Sequence, residues 1–389
     1  MPSAAGVCQA VNNQRKQPFA AALLKHWVLG VGLLAVGLWP GQALAQCDWP
    51  AWQHFKQAYI SEQGRVIDPA DERQITTSEG QSYGMFFALV ADDQAAFERL
   101  LQWTQDHLAK GDLTARLPAW LWGKNAQQQW TVLDSNSAAD SDLWLAYDLL
   151  EAGRLWKNRR YQVLGTLLLQ RIAREEVVDI PGLGVMLLPG KQGFVKEESW
   201  KLNPSYLPPQ LLARFASLTG PWQEMQQSYR RLLVGAAPLG LVPDWIVWHA
   251  SLGWQPDTQT GSNGSYDAIR SYLWLGMLAA DALHREALLA HLQPMADLTA
   301  KQGWVPEQVN ALTGESTGVG PVGFSAALLP FLQGTATASL LRQRLVNAEL
   351  DSQAYYNTVL RLFGEGWNQG RYRFNGAGEL VVWDQTCKK

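Results

Sequence analysis

Apolar residues recur at three- and four-residue spacing along almost the whole chain, and strict alternation is rare. That spacing stacks side chains on one face of a 3.6-residue helix, whereas a half-buried strand would alternate. Twelve helices are predicted, starting near Trp49, Glu79, Gln94, Ala138, Asn158, Pro204, Pro221, Ser265, Leu283, Val322, Ala336 and Gln353. Their character alternates. Those near Glu79, Ala138, Pro204, Ser265 and Val322 are apolar on most sides and rich in small residues, as inner helices should be. Those near Gln94, Asn158, Pro221 and Leu283 carry Arg, Glu, Gln and His on one face, as outer helices should. Taken in pairs they make six helical hairpins, and a closed ring of these, an (α/α)6 barrel, buries one long apolar face of each. The expected fold class is all-α, with small β-hairpins in the loops.

The loops sharpen this picture. Those leading into inner helices are long and rich in Gly, Trp and Asn: 111–137, 179–203, 237–264 and 303–321. Loops of such length in a compact domain are usually functional. Val185 to Leu188 and Asp244 to His249 are expected to form short strands, and 371–383 a hairpin around Asn375-Gly376. Of 19 tryptophans, Trp103, Trp144, Trp156 and Trp274 fall in helical patterns and read as core. Trp120, Trp122, Trp130, Trp200, Trp245, Trp248 and Trp254 fall in loops, where an indole either tucks under the fold or offers a flat face to a sugar ring.

Before the first helix lies a targeting pattern. Arg15, Lys16 and Lys25 precede an apolar run from Trp27 to Leu38, and Ala43-Leu44-Ala45 supplies a small-x-small cleavage site. The run is shorter than the ~20 residues a membrane-spanning helix needs. Residues 1–45 therefore read as a secretory signal, and 46–389 as a single domain delivered to the periplasm or outside the cell. Its long basic region also allows a start codon downstream of Met1, and a retained N-terminal anchor is the lesser alternative. Removing the signal takes three basic and no acidic residues from a chain of 32 basic and 35 acidic, leaving a net charge of −6. Nucleic acid and anionic membrane surfaces are poor partners for that balance. Cys47 and Cys387 remain, at opposite ends; they are a disulfide staple if the ends meet, and incidental thiols otherwise.

Candidate chemistry lies at the starts of the inner helices. In T-S-E-G-Q-S-Y-G-M (77–85), Ser78 reads as the N-cap with Gln81 three residues on, which puts Glu79 at the first helical position. Alone, such an acid serves the helix dipole. The arrangement recurs, however. A-A-D-S-D offers Asp140 and Asp142; N-P-S-Y offers Tyr206; N-G-S-Y-D-A-I-R offers Tyr266, Asp267 and Arg270. All begin inner helices, hence lie at one mouth of a barrel, and two carboxyl groups across a cleft are what glycoside hydrolysis requires. Asp267 suits the general base, because Arg270 one turn on would hold it charged. Glu79 suits the acid, provided an ionised Asp140 within a few ångströms keeps its proton on against the helix dipole.

T-x-S-E-G-Q-S-Y-G-M, A-x-D-x-D-L-W-x-A-Y, N-P-S-Y and S-Y-D-A-x-R together resemble glycoside hydrolase family 8, over essentially the whole mature chain. That resemblance implies an (α/α)6 barrel and an inverting endo-β-1,4-glucanase with Glu79 as proton donor and Asp267 as base. It also implies that Asp140 binds and distorts the sugar, that Tyr206, Tyr266 and Arg270 surround that subsite, and that Trp120 in L-P-A-W is a stacking platform. The expected partners are a β-1,4-glucan chain and a bacterial cellulose synthase complex, with the protein acting as a monomer in cellulose biosynthesis. One departure stands out: the family pattern A-[ST]-D-[AG]-D reads A-A-D-S-D here, with Ala139 and Ser141 in place of the expected types. Both carboxylates survive, and the fine hydrogen bonding around them is what changes.

Other signals carry less. Gly318 to Gly323 matches G-x-G-x-x-G, yet no βαβ unit surrounds it. The histidines lack metal-ligand spacing, so no metal and no cofactor is expected. Two rival readings keep their place: xylan or mixed-linkage glucan as substrate, and a glucan-binding or scaffolding partner of a synthase.

Overall fold

The computed structural model describes residues 49–348 and 354–382. The signal segment, Cys47, Cys387 and the predicted helix start at Gln353 lie outside the described residues. Thirteen α-helices are described, and they account for the expected twelve with two changes. In chain order they are α1 (Pro50–Tyr59), α2 (Ser78–Val90), α3 (Gln94–Leu108), α4 (Ala139–Leu155), α5 (Arg159–Glu175), α6 (Pro209–Phe215) and α7 (Trp222–Ala236). After them come α8 (Ala268–Gly276), α9 (Arg285–His291), α10 (Gln293–Gln302), α11 (Val322–Leu328), α12 (Ala336–Asn347) and α13 (Tyr355–Asn368).

The two changes are both made by proline. The helix expected from Leu283 onward is broken at Leu292, because Pro294 in the first turn of α10 has no N–H and disfavours helical backbone before it. The helix expected at Pro204 is a single 3-10 turn, Pro204–Tyr206, and regular helix resumes only at Pro209.

Two classes of helix are visible. On α2 and α4 nearly every side is buried, from Ser78 to Leu89 and from Ala139 to Gly153 with few gaps. On α5 only the stripe Tyr161, Leu164, Gly165, Leu168, Leu169 and Ile172 is covered, the i, i+3, i+4 pattern of a helix with one wet face. The inner helices touch in sequence: α2 packs on α4, α4 on α6, α6 on α8, α8 on α11 and α11 on α13. Phe363 of α13 then reaches Phe87 of α2, ring centroids 4.7 Å apart. The outer set α3, α5, α7, α9 and α12 lies against α2, α4, α6, α8 and α11, and α1 lies against α13. The α11–α13 contact is so close that a Cβ on Gly364 would sit 1.8 Å from the Ala326 carbonyl oxygen. Only glycine fits there.

Among the described residues fourteen short strands decorate the loops, more than the weak alternation of the sequence foretold. β1 (Thr76–Thr77), β2 (Leu121–Lys124) and β3 (Trp130–Asp134) form one antiparallel sheet beside the start of α2. A four-stranded sheet of β6 (Val195–Lys196), β7 (Ser199–Leu202), β8 (Ile246–His249) and β9 (Gly253–Pro256) joins two of the long loops. The expected strand at Val185 is β5 (Gly184–Leu187), paired with β4 (Val177–Ile180). β10 (Asn263–Gly264), β11 (Gln308–Asn310) and β12 (Ser316–Thr317) lead toward α8 and α11. The expected C-terminal hairpin is β13 (Tyr372–Phe374) and β14 (Leu380–Val382), with Asn375 and Gly376 in its turn.

Candidate active site

The start of α2 is held by three bonds that the sequence did not assign. Thr77, not Ser78, is the N-cap, its side chain accepting from the Gly80 N–H at 3.0 Å. The helix begins one residue earlier than expected, and Glu79 is its second residue. Ser78 is buried and its hydroxyl meets that of Ser141 at 2.6 Å, while its N–H donates to the Trp120 carbonyl at 3.0 Å. Gln81 makes no capping box. It is fully buried, accepting from the Val66 N–H at 2.6 Å and donating to Gly64 and Leu100 carbonyls and the Thr104 hydroxyl. Ser141 therefore ties the first turn of α4 to that of α2, and with it Asp140 to Glu79.

The first turn of α8 completes the gathering. Arg270, 4% exposed in its side chain, donates from Nη1 to Glu79 Oε2 and from Nη2 to Asp267 Oδ1 at 2.8 Å. Nη2 also reaches the Ser205 hydroxyl at 3.3 Å and lies 3.7 Å from Asp140 Oδ2. The sequence assigned Arg270 to Asp267 alone; in the structure one guanidinium spans three carboxyl groups from three helices. Glu79 and Asp267 keep 24% and 29% side-chain exposure, so both open to solvent, whereas Asp140 is sealed at 4%.

The electrostatics divide these groups. Asp140 is pushed well above the usual carboxyl range, first by burial and then by the charge of Glu79, against the pull of Arg270 and the Ser141 N–H. It also shares a hydrogen bond with Glu79. The closeness required by the sequence argument is present, and burial favours a proton on Asp140. Asp267 is raised to about 6, first by desolvation where its carboxyl meets the protein, with Arg270 opposing and Asp244 and Glu79 adding.

The remaining expected residues are placed unevenly. Tyr206 lies in the 3-10 turn with its ring 5.8 Å from the Arg270 guanidinium and edge-on to Trp245. Burial raises its phenol well above the ordinary value, and the charges of Asp140 and Asp267 add to that. Trp120 is half-buried, and its carbonyl anchors the residue next to Glu79. Tyr266 is 48% exposed and its hydroxyl donates to Glu307 at 3.4 Å rather than to the charged cluster. Tyr356 of α13 feels the cluster too: burial raises its phenol, with Arg270 opposing and Glu79 and Asp267 adding, and its hydroxyl donates to the Tyr266 carbonyl at 2.7 Å. Tyr356 and Asp244, both next to the cluster, carried no motif in the sequence, and Asn203 opens N-P-S-Y without having been singled out. Among the described residues no group of three His, Cys, Asp or Glu is arranged to hold a metal ion.

Carboxyl groups drawn from separate helix starts, two of them open to one cleft and one proton-bearing, are the functional groups of a glycoside hydrolase. The chain matches the family model of glycosyl hydrolases family 8 over residues 32–370, and it belongs to that family. It is 55% identical over 344 residues to an endoglucanase of Escherichia coli O157:H7, covering 88% of this chain and 94% of that one. The crystal structure of an endo-1,4-D-glucanase from Vibrio fischeri ES114 superposes with a TM-score of 0.82 at 47% identity, covering 86% of this chain and 99% of the other. That of the endo-beta-1,4-glucanase CMCax from Acetobacter xylinum gives a TM-score of 0.69 at 26% identity, over 83% and 98% of the two chains.

Proposed function

We propose that this protein is an inverting endo-β-1,4-glucanase that hydrolyses internal bonds of a β-1,4-glucan chain. The observation that carries the reading is the meeting of Glu79, Asp140 and Asp267 around Arg270 in a member of this family. Glu79 delivers to the departing glycosidic oxygen the proton that Asp140 beside it holds at rest. Asp267, raised to about 6 and so largely ionised at neutral pH, takes a proton from the water that attacks the sugar. Water is thus added across the bond, and solvent exchange restores both groups. Trp120 and Tyr206 contact the sugar beside these acids, and Tyr266 lines the rim of the cleft.

The ring of contacts from α2 through α13 and back to Phe87 supports a closed (α/α)6 barrel as the frame. The signal pattern in 1–45 supports a single exported domain, 46–389, working in the periplasm or outside the cell. A role beside a bacterial cellulose synthase, as a monomer, extends the reading of the sequence. Anomer-resolved analysis of the first products from carboxymethylcellulose tests the mechanism: inversion of a β-link yields the α-anomer first, and a first-formed β-anomer contradicts it. Faster turnover of xylan or a mixed-linkage glucan in the same assay would move the substrate assignment.

A further inference from the structure

The loop ahead of β8 sends a carboxylate into the first turn of α8. Asp244 Oδ1 accepts three backbone N–H groups, from Ser265 at 2.8 Å, Asp267 at 3.1 Å and Ala268 at 2.8 Å. The first N–H groups of a helix have no partner within it, and the residue at the cap position normally supplies one from its own side chain. Asp267 holds that cap position, yet its carboxyl makes no capping bond and is bound by Arg270 instead. A residue 23 positions earlier therefore does the capping, and the side chain of Asp267 is released to the cleft. Asp244 is itself anchored, its N–H donating to the Asn263 carbonyl at 2.8 Å.

We infer that Asp244 is a positioning residue for the general base: it fixes the backbone of 265–268 so that Asp267 faces the attacking water rather than its own helix. This rests on the reading of Asp267 as base. Asp244 also acts through its charge. The groups facing Asp267 are Arg270 on its own helix, Asp244 and Asn203 on loops, and Glu79 on α2; Tyr206 and Tyr356 feel its charge from the 3-10 turn and α13. Among these, Asp244 and Glu79 push Asp267 up, and Arg270 and Asn203 pull it down. Asp244 itself is raised by burial, with its three N–H bonds and Arg270 opposing.

The test separates the two actions. Asp244→Asn keeps an acceptor of the same shape and removes the charge; Asp244→Ala removes both. In the full chain acting on a soluble β-1,4-glucan, Asp244→Asn is expected to shift the low-pH limb of kcat/KM toward lower pH, with plateau kcat within several-fold of the parent. Asp244→Ala is expected to lose on the order of 10²-fold in kcat with little change in KM, the scale of a misplaced reacting group. An unmoved low-pH limb in Asp244→Asn overturns the inference, as does full kcat in a folded Asp244→Ala. If the alanine variant does not fold, the limb of the asparagine variant decides alone. Failure of the underlying reading looks different: Asp267→Asn would keep its activity whatever Asp244 does.

Discussion

Helix α4 opens with two acids two residues apart, and in the sequence they look alike. In the structure they belong to two unlike pairs. Asp140 shares a hydrogen bond with Glu79, and Arg270 lies 3.7 Å away. Asp142 points elsewhere, as residues two apart on a helix must, and shares a hydrogen bond with Glu176, whose other oxygen receives the Ser137 hydroxyl. Burial raises Asp140 in the first pair and both members of the second, Glu176 to about 8. The differences are a cation and an opening. No cation contacts the second pair among the described residues; Lys191 acts on it only at a distance, its ammonium lying 3.9 Å from Glu175. Asp142 and Glu176 are both fully buried, whereas Glu79 looks into the cleft. A shared buried proton becomes chemistry only where one of its holders can reach a substrate. Elsewhere it is structural.

The sharpest way to break this contrast is to neutralise one member on each side. Glu79→Gln should lower kcat on a soluble β-1,4-glucan by about 10²–10⁴-fold with the far-ultraviolet circular dichroism unchanged, and Asp267→Asn should do the same. Near-parental rates in either folded variant would remove that residue from the mechanism. Glu176→Gln should instead leave kcat within several-fold and change how stability depends on pH. The folded protein holds a proton at Glu176 that the unfolded chain releases above its ordinary carboxyl value of 4.5. The stability this contributes is present at low pH and is lost as pH rises through about 8. The parental Tm should therefore fall between about pH 5 and pH 8, by on the order of 5 °C, and Glu176→Gln should flatten that fall. Identical slopes in the two proteins would show that the pair carries no proton. The smallest effect concerns the link between the first pair's two helices. Ser141→Ala should cost about 1 kcal/mol by denaturant unfolding and lower kcat only a few-fold; an unchanged midpoint would show that the Ser78–Ser141 contact contributes nothing.

Much of the frame was legible because it follows from periodicity, which local side-chain spacing controls. Ten of the twelve expected helices appear as regular helices close to their expected starts, and the two altered ones both meet prolines whose effect on a neighbouring turn depends on the exact register. The acids of the site were legible because each opens a helix inside a dense motif. What stayed hidden is made by contacts across the chain. Thr77 displaces Ser78 as cap because Ser78 is drawn off to Ser141, 63 residues away. Tyr356 comes under the influence of the charged cluster because α13 closes against α2, which no local pattern records. Asp244 follows a proline and precedes a short strand, a setting that marks a turn and nothing more. The rise of Asp140 above the usual carboxyl range depends on how deeply it is buried, and that too is a property of the assembled fold.

The hairpin of β13 and β14 has a consequence for how this chain becomes a protein. Tyr147 in α4 donates to the Gly378 carbonyl at 2.8 Å, and the fully buried Glu151 accepts the Leu380 N–H at 2.8 Å across 229 residues. Arg154 and Arg214 clasp the same glutamate, and Tyr372, Phe374 and Leu380 are all buried at 3% exposure or less. Until that hairpin arrives, Glu151 lacks its backbone donor and the aromatic rings beneath α2 and α4 stay wet. Closure of the described fold therefore waits on residues 372–382, which supply α4 with contacts that nothing nearer in the sequence provides.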